Sequence, residues 1–521
     1  MCYKSMKYNL YIPLLFIAFV FVSCNDYLDQ APDNRASLTN AKTIRELLVS
    51  AYPDQSYQVF TEAMSDNVTD RGAQANELAV SSPSALISQQ AYSWQDIKGD
   101  NQDTPTAYWT SCYNAISAAN HALEAIKNLG GGVEYDPIKG EALLCRAYAH
   151  FMLVNIFAEH YNPQTAATAQ GVPYVTVPEK VVFNDYKRNT IAEVYANILS
   201  DFETGFPLLD DATYIVPAYH FTRNAASAFA SRLFLYTNKP DSVIKYANIV
   251  LGTSPQTKIR DWNGIYQTYT SQDAISSTYN KADQPTNLLL TACVSFIMRS
   301  SYNRFAMDFG LLNTIGYNVN ITGGKNGFLF YGASAYNFVF VPKYKEYFKR
   351  ESINANYGLG YSMIPMLTAD EVLLNRAEGY VMLNDFENAL ADINVYYSKR
   401  VLNYNPAVHT VTANRISNYI RTDRPVLAPD YAITPTQLPY IKLLLEMRRS
   451  EFILEGLRWF DIKRMHLEVK HNVLTGEASP VVLSPTDARR AVQIPIDALS
   501  FGISPNGRPD ILPAIEISLL K

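Results

Sequence analysis

Residues 368–400 constrain the fold more than any other stretch. Thr368 and Glu371 stand in the spacing of a capping box at the head of a helix. Leu373, Ala377, Tyr380 and Val381 then share one face. Asn384-Asp385 marks a turn, and Phe386, Ala389, Leu390, Ile393 and Tyr397 face back. Small side chains at Ala377 and Ala389 let two antiparallel helices approach closely. Such a hairpin cannot bury its apolar face alone, so the chain must stack it on more helices.

The same periodicity recurs. Tyr108, Cys112, Ala115, Ile116, Ala119, Leu123 and Ile126 form one helical face, which Gly130-Gly131-Gly132 ends. Asp136, read as an N-cap, and Pro137 open the partner helix, with Ile138, Ala142, Cys145, Ala149, Met152 and Ile156 inward. Thr190 and Glu193 form a capping box ahead of Ile191, Val194, Tyr195, Ile198 and Phe202. Helices are expected from Thr222 to about Thr237, from Pro240 to Leu251, and from Thr436 to Arg464 with a bend near Gly456. The fold is therefore expected to be mainly α, with helical pairs over 106–158, 190–251, 368–400 and 436–464. A further short helix is expected at 40–51 in an otherwise irregular stretch from 25 to 105. The Ala377–Ala389 hairpin resembles a tetratricopeptide unit, although the units lie too far apart for a tandem array. Residues 252–362 are rich in Tyr, Asn, Ser, Thr and Gly and only weakly periodic. They are too long for an ordinary loop and are expected to form an irregular insertion with a few strands, Asn287–Ile297 among them. Long irregular segments on a rigid scaffold tend to carry binding.

The head of the chain reads as an export signal. Lys4 and Lys7 precede the apolar run Leu10–Val22, which is too short to span a bilayer and ends at Ser23-Cys24. A cysteine at the cut suggests bacterial lipoprotein processing, with residues 1–23 removed, Cys24 lipidated and 24–521 forming one domain. Acyl chains would then hold the protein at a membrane. The remaining cysteines, Cys112, Cys145 and Cys293, show no CxxC spacing. Cys112 and Cys145 fall on apolar faces and read as buried small hydrophobes. Net charge is −5 with no basic stripe, which argues against nucleic-acid binding.

The composition is unusual in its aromatics, with 37 Tyr and 24 Phe but only 4 Trp. Tyrosine suits helix packing and sugar stacking alike. Trp109 and Trp459 lie in periodic segments and read as core. Trp94 and Trp262 lie in non-periodic stretches beside carboxylates and amides: Asp96, Asp100, Asn101, Gln102 and Asp103 for the first, Asp261 and Asn263 with Tyr266 and Tyr269 for the second. Rings bordered by such groups can stack on the C–H face of a sugar while the polar neighbours bind hydroxyls. The plainer alternative is that each Trp pins its loop to the helices. Arg71, Asn67, Tyr302 and Arg304 are further candidates. Arg448, Glu451, Glu455 and Arg458 fall on one helical face, where interleaved opposite charges read as a structural ion network along the helix rather than a catalytic pair. Glu371 and Glu378 read as a cap and a helix-surface pair. Asp100-Asn101-Gln102-Asp103 reads as a solvated turn rather than a calcium loop. No zinc-type histidine spacing, nucleophile elbow or P-loop occurs, so no metal or cofactor is expected.

Four local patterns together resemble the SusD/RagB-like outer-membrane lipoproteins of Bacteroidetes. They are Cys24 with Asp26-Tyr27-Leu28-Asp29 and Pro32; Tyr113-Asn114-Ala115-Ile116 with Ala119-Asn120, then Glu141-Ala142-Leu143 with Arg146-Ala147-Tyr148; Pro365 with Ala369 through Glu378; and Glu446, Arg448-Arg449, Glu451-Phe452, Glu455-Gly456, Arg458 and Asp461-Ile462. Asn287 stands where that family often has a Glu before its apolar strand. The resemblance implies four tetratricopeptide-like pairs holding a loop-rich face. It also implies a surface lipoprotein that captures oligosaccharides, or in some members peptides, for a TonB-dependent transporter on which it sits. Its glycan site would be built from loop aromatics; by environment alone, the ligand-binding residues expected here are Trp94, Asn101, Trp262, Tyr266, Tyr302, Arg304 and Arg71. No enzymatic activity is expected, with a cell-surface glycosidase as the remoter alternative; that chemistry needs two carboxylates across one cleft.

Overall fold

The computed structural model describes residues 38–72, 75, 84–179, 185–350, 352–419, 426–474 and 480–508. Cys24 and the export segment lie outside them. Helices α1 (Pro105–Asn128) and α2 (Asp136–Phe157) form the first pair. Thr104 caps α1 by accepting from the Ala107 N–H, and Pro105 occupies the first turn. Asp136 is already inside α2, and the preceding Tyr135 offers no side-chain cap. From Gly140 to Phe157 α2 is buried all round, as a helix at the centre of a bundle must be.

Helix α3 (Ile191–Gly205), with its Thr190/Glu193 capping box formed, packs back on α2 rather than pairing with the next helix in the chain. The next hairpin is α4 (Arg223–Tyr236) with α5 (Pro240–Leu251), and α5 packs on α6 (Ala369–Met382). Helices α6 and α7 (Phe386–Ser398) turn through Asn384 in the left-handed region, φ 62°, with Ala377 and Ala389 fully buried. The expected C-terminal helix is interrupted: α8 (Gln437–Glu451) stops, and α9 (Arg458–Arg464) begins after residues that include Leu454 and Gly456 at positive φ. A Cβ on Gly456 would also meet Thr61 Oγ1 and the Gln58 Cα, so this turn needs glycine. Cys112, Cys145 and Cys293 are buried free thiols, their pKa values pushed up by burial.

The described residues of the 25–105 stretch hold more regular structure than expected, with short helices Ala41–Leu48, Gln58–Ala63 and Ala85–Tyr92. Strand β1 (Thr69–Asp70) lies in this part. The 252–362 insertion is built on small antiparallel sheets. Its strands are β2 (Asn287–Val294), β3 (Phe305–Ala306), β4 (Tyr331–Ala333), β5 (Phe338–Phe340), β6 (Glu346–Arg350) and β7 (Gly358–Thr368). The largest sheet has order β2-β7-β6, pairs Leu290 with Pro365 and Val294 with Tyr361, and leads directly into α6.

Buried ions fasten this insertion to the helices. Arg400, just beyond α7, donates from Nε to Glu451 at 2.8 Å, from Nη2 to Asp370 at 2.5 Å and from Nη1 to the Arg260 carbonyl at 2.6 Å. Lys343 reaches Glu455 at 2.7 Å, and the Tyr279 hydroxyl donates to the same carboxylate at 2.8 Å. Arg260 Nη2 donates to Asn287 at 2.7 Å, so the amide that replaces the expected glutamate still has a cation partner. The face expected to pair along one helix therefore does not. Arg448 bonds Asp461, Glu451 bonds Arg400, Glu455 bonds Lys343 and Arg458 bonds Asp66, because the break after α8 turns the last two away. Likewise Glu371 and Glu378 are buried partners of Arg232 and Arg464, not a cap and a surface pair. In such a place removing one partner strands the other, which makes these contacts expensive to break.

Candidate functional site

Seven residues were expected to bind, and the structure separates them. Trp262 is fully buried, with Tyr266 at 4.6 Å between ring centroids and Phe328 edge-on at 5.3 Å. Its neighbour Asn263 donates to the carbonyls of Ser398 and Val401 and so ties the turn to the end of α7. Tyr266 is also buried, its hydroxyl 3.3 Å from Arg260 Nη1. Trp94 is buried too, its indole N–H donating to the Met64 carbonyl at 2.9 Å. It ends a column of stacked rings: Trp94 on His471 at 4.3 Å, His471 on Tyr92 at 4.0 Å, Tyr92 on Phe305 at 4.6 Å. At 2% and 0% exposure neither Trp94 nor Trp262 offers a sugar an open ring face, so both tryptophans are corrected from ligand platforms to loop anchors. Asn101 is exposed in the turn before α1, where its carbonyl accepts from Thr104. Asp103 in the same turn is buried, so this is not the solvated turn expected.

The other three come together on the loop face. Strands β1 and β3 pair Thr69 with Ala306 and Asp70 with Phe305, and the Arg71 N–H extends the ladder to the Arg304 carbonyl at 3.1 Å. Arg304 turns inward and grips Asp70 with two bonds of 2.6 Å, a structural pair rather than a ligand contact. Burial works against charge on Asp70, but Arg304 and the N–H groups of Leu474 and Gly72 outweigh it and hold the carboxyl below its usual range. Arg71 donates to the carbonyls of Asn303 and Asn337, with Phe338 5.8 Å from its guanidinium. Its Nε has no partner among the described residues, and burial lowers its pKa to about 10.

Tyr302 is the exposed member, at 38%. One face of its ring lies on Phe338 from β5, 4.5 Å between centroids and 19° from parallel. Phe338 is held from below. Asn337 sits in the left-handed region at φ 47° and donates to Asp308 at 3.2 Å, while Asp308 caps the turn Phe309–Leu312 by accepting from Leu311 N at 2.8 Å. The result is a shelf: a partly exposed tyrosine ring backed by Phe338, with the Arg71 guanidinium over the Phe338 ring and the Asn337–Asp308 pair at the start of its strand. Phe338, Asn337 and Asp308 were not singled out in the sequence. Only the αL-tolerant Asn337 ahead of Phe-Val-Phe hinted at a tight strand entry. Among the described residues no group of three or more His, Cys, Asp or Glu is placed to hold a metal ion, and no helix is long and apolar enough to cross a membrane.

A helical-hairpin scaffold carrying an aromatic shelf on inserted loops is the class that this architecture defines. Residues 26–235 match the SusD-like family model described as "Starch-binding associating with outer membrane". The fold is that of SusD superfamily proteins. It resembles one from Bacteroides thetaiotaomicron with a TM-score of 0.63 at 17% identity, over 91% of this chain and 100% of that one. A second, from Bacteroides fragilis, gives 0.58 at 19% identity over 89% and 97%. A SusD-like carbohydrate binding protein from Bacteroides vulgatus gives 0.57 at 14% identity over 89% and 97%. No curated protein matches the chain by sequence. The chain is thus similar to the SusD-like family over residues 26–235 and shares the fold of SusD superfamily proteins over most of its length.

Proposed function

We propose that the protein captures glycans non-covalently at the Tyr302 shelf, as a lipoprotein of the outer membrane, and passes them to a TonB-dependent transporter. The exposed, backed ring of Tyr302 carries this reading. A pyranose offers an apolar C–H face to such a ring, and Phe338 beneath removes the cost of ordering it on binding. The matching family description and the carbohydrate-binding relative support the same ligand class. The Leu10–Val22 run ending at Cys24 supports the anchor. Asp70 is committed to Arg304 and kept ionised, which suits it poorly to proton donation and supports binding without hydrolysis.

The test is native affinity electrophoresis of the chain from residue 25 against a polysaccharide panel, with reducing ends assayed in parallel. Retardation by a glycan is expected. Tyr302→Ala is expected to weaken it by about tenfold, the equivalent of roughly 1.4 kcal/mol of stacking. New reducing ends, or retention of peptides alone, would overturn the reading.

A further inference from the structure

A cavity of about 220 Å³ lies between the first turns of α1 and the C-terminal segment 495–503. Four aromatic rings line it. Trp109 and Tyr113 stand four apart on α1 and so share a face, 4.9 Å between ring centroids. Phe157 of α2 backs Trp109 edge-on at 4.9 Å, and the Tyr113 hydroxyl donates to the Pro173 carbonyl at 2.9 Å. Tyr186 and Phe501 are the other two rings. The Tyr186 N–H donates to the Phe501 carbonyl at 2.9 Å, which ties their segments together. The Tyr186 hydroxyl donates to Glu179 and holds that carboxylate at the cavity.

The charged side chains of the lining are all acidic. They are Glu179 and Asp497, both exposed, and no Lys, Arg or His lines the cavity. Neither carboxylate has a cation partner among the described residues. Arg188 acts on the Tyr113 hydroxyl from outside the lining, with Nε, Nη1 and Nη2 given to the carbonyls of Gly171, Ser504 and Gln170. Asp497 also borders a neighbouring groove, where Asp487 holds Arg489, Asp96 holds Arg508 and Lys98 is exposed.

This lining selects its ligand by charge. An anion would meet two carboxylates and the negative faces of the rings. An uncharged apolar group would take carboxylates out of water with nothing in return. A cation satisfies both sets of groups: the ring quadrupoles attract it and the carboxylates balance it. At about 30 Å³ for each molecule of liquid water, the cavity has room for about seven, hence for a small molecule rather than an oligosaccharide.

We propose that this cavity binds a small organic ammonium ion, set against the rings of Trp109, Tyr113, Tyr186 and Phe501 and balanced by Glu179 and Asp497. No residue of the Tyr302 shelf lines it, so the site is separate from the one proposed for glycans and does not depend on that reading.

The test is ligand-observed NMR on the chain from residue 25 with three probes: choline, n-butylammonium, and the uncharged analogue of choline that has carbon in place of nitrogen. Binding of at least one of the two cations is expected, weakened by added salt, with the uncharged analogue weaker by about tenfold. Glu179→Gln combined with Asp497→Asn is expected to weaken the cation by about tenfold, and Phe501→Leu, which keeps an apolar side chain but removes the ring, by severalfold. Both carboxylates are exposed, so the double variant is expected to keep its fold, checked by its urea midpoint. The comparison of charged and uncharged probes on the unaltered protein stands whatever the variants do. The inference is overturned if neither cation binds, if the uncharged analogue binds as well as choline, or if the folded double variant binds the cation unchanged.

Discussion

Arg400→Met is expected to destabilise the protein by about 3–5 kcal/mol, read as a shift of the urea midpoint. Arg400 is fully buried, and methionine fills much of its volume without its charge. The substitution leaves a buried Glu451 with no cation and an Asp370 with Arg260 alone, at 3.4 Å. Asp370 keeps the Thr286 hydroxyl at 2.5 Å and the Arg260 N–H at 2.9 Å, so the larger share of the loss falls on Glu451. That predicts partial rescue. Arg400→Met combined with Glu451→Leu should regain a substantial part of the loss, because the stranded carboxylate is then gone. Equal destabilisation in single and double variants would mean that the cost lies in packing instead. Lys42→Met is the contrast. Its partner Glu46 is 4.0 Å away with both side chains well exposed, and no measurable change is expected.

The helices were legible because their information is local. Periodicity and caps such as Thr190 with Glu193 act over a few residues, and the structure forms them. The side chains that would bind were not legible, because a polar neighbour does not say where its bonds go. Asp261 and Asn263 made Trp262 look exposed. In the fold Asp261 faces Lys399 at 3.3 Å and Asn263 is spent on two carbonyls, so the same polar groups bury the ring. The four charges from Arg448 to Arg458 show a second limit. Their spacing fits one continuous helical face, but Leu454 and Gly456 at positive φ end that helix, and the partners come from beyond that face. Tyr302 could be picked from its irregular surroundings. Its backing by Phe338 depends on the β4–β5 hairpin well downstream in the chain, a non-local pairing that no local pattern encodes.

Asp103→Asn is expected to raise stability near pH 8 by as much as about 4 kcal/mol, and to change it little at pH 4. Burial pushes the Asp103 carboxyl up to about 7, against the bonds from Ser295 Oγ at 2.5 Å and the Phe296 N–H at 2.7 Å, with Glu346 adding repulsion. The sign comes from linkage. The unfolded chain releases this proton near the usual aspartate value and the folded chain only near 7, so between those pH values the folded state holds more protons. Stability contributed by this group is therefore complete below about pH 4 and is lost as pH rises to about 7, at roughly 1.4 kcal/mol per pH unit. Asparagine copies the protonated acid. Its amide can donate to the Ser295 oxygen while its carbonyl accepts from Phe296 N–H, and it tolerates the left-handed backbone at φ 66° as aspartate does. The measurement is urea midpoints of both proteins at pH 4, 5.5, 7 and 8. Taking the difference between them cancels the opposite trend of acids held low by arginines, such as Asp66. A gap that stays constant across this range would show that Ser295 and Phe296 keep the carboxylate ionised despite its burial. A gap that opens upward from pH 4 would make Asp103 a proton-dependent latch on the segment leading to Tyr302, only seven residues beyond Ser295.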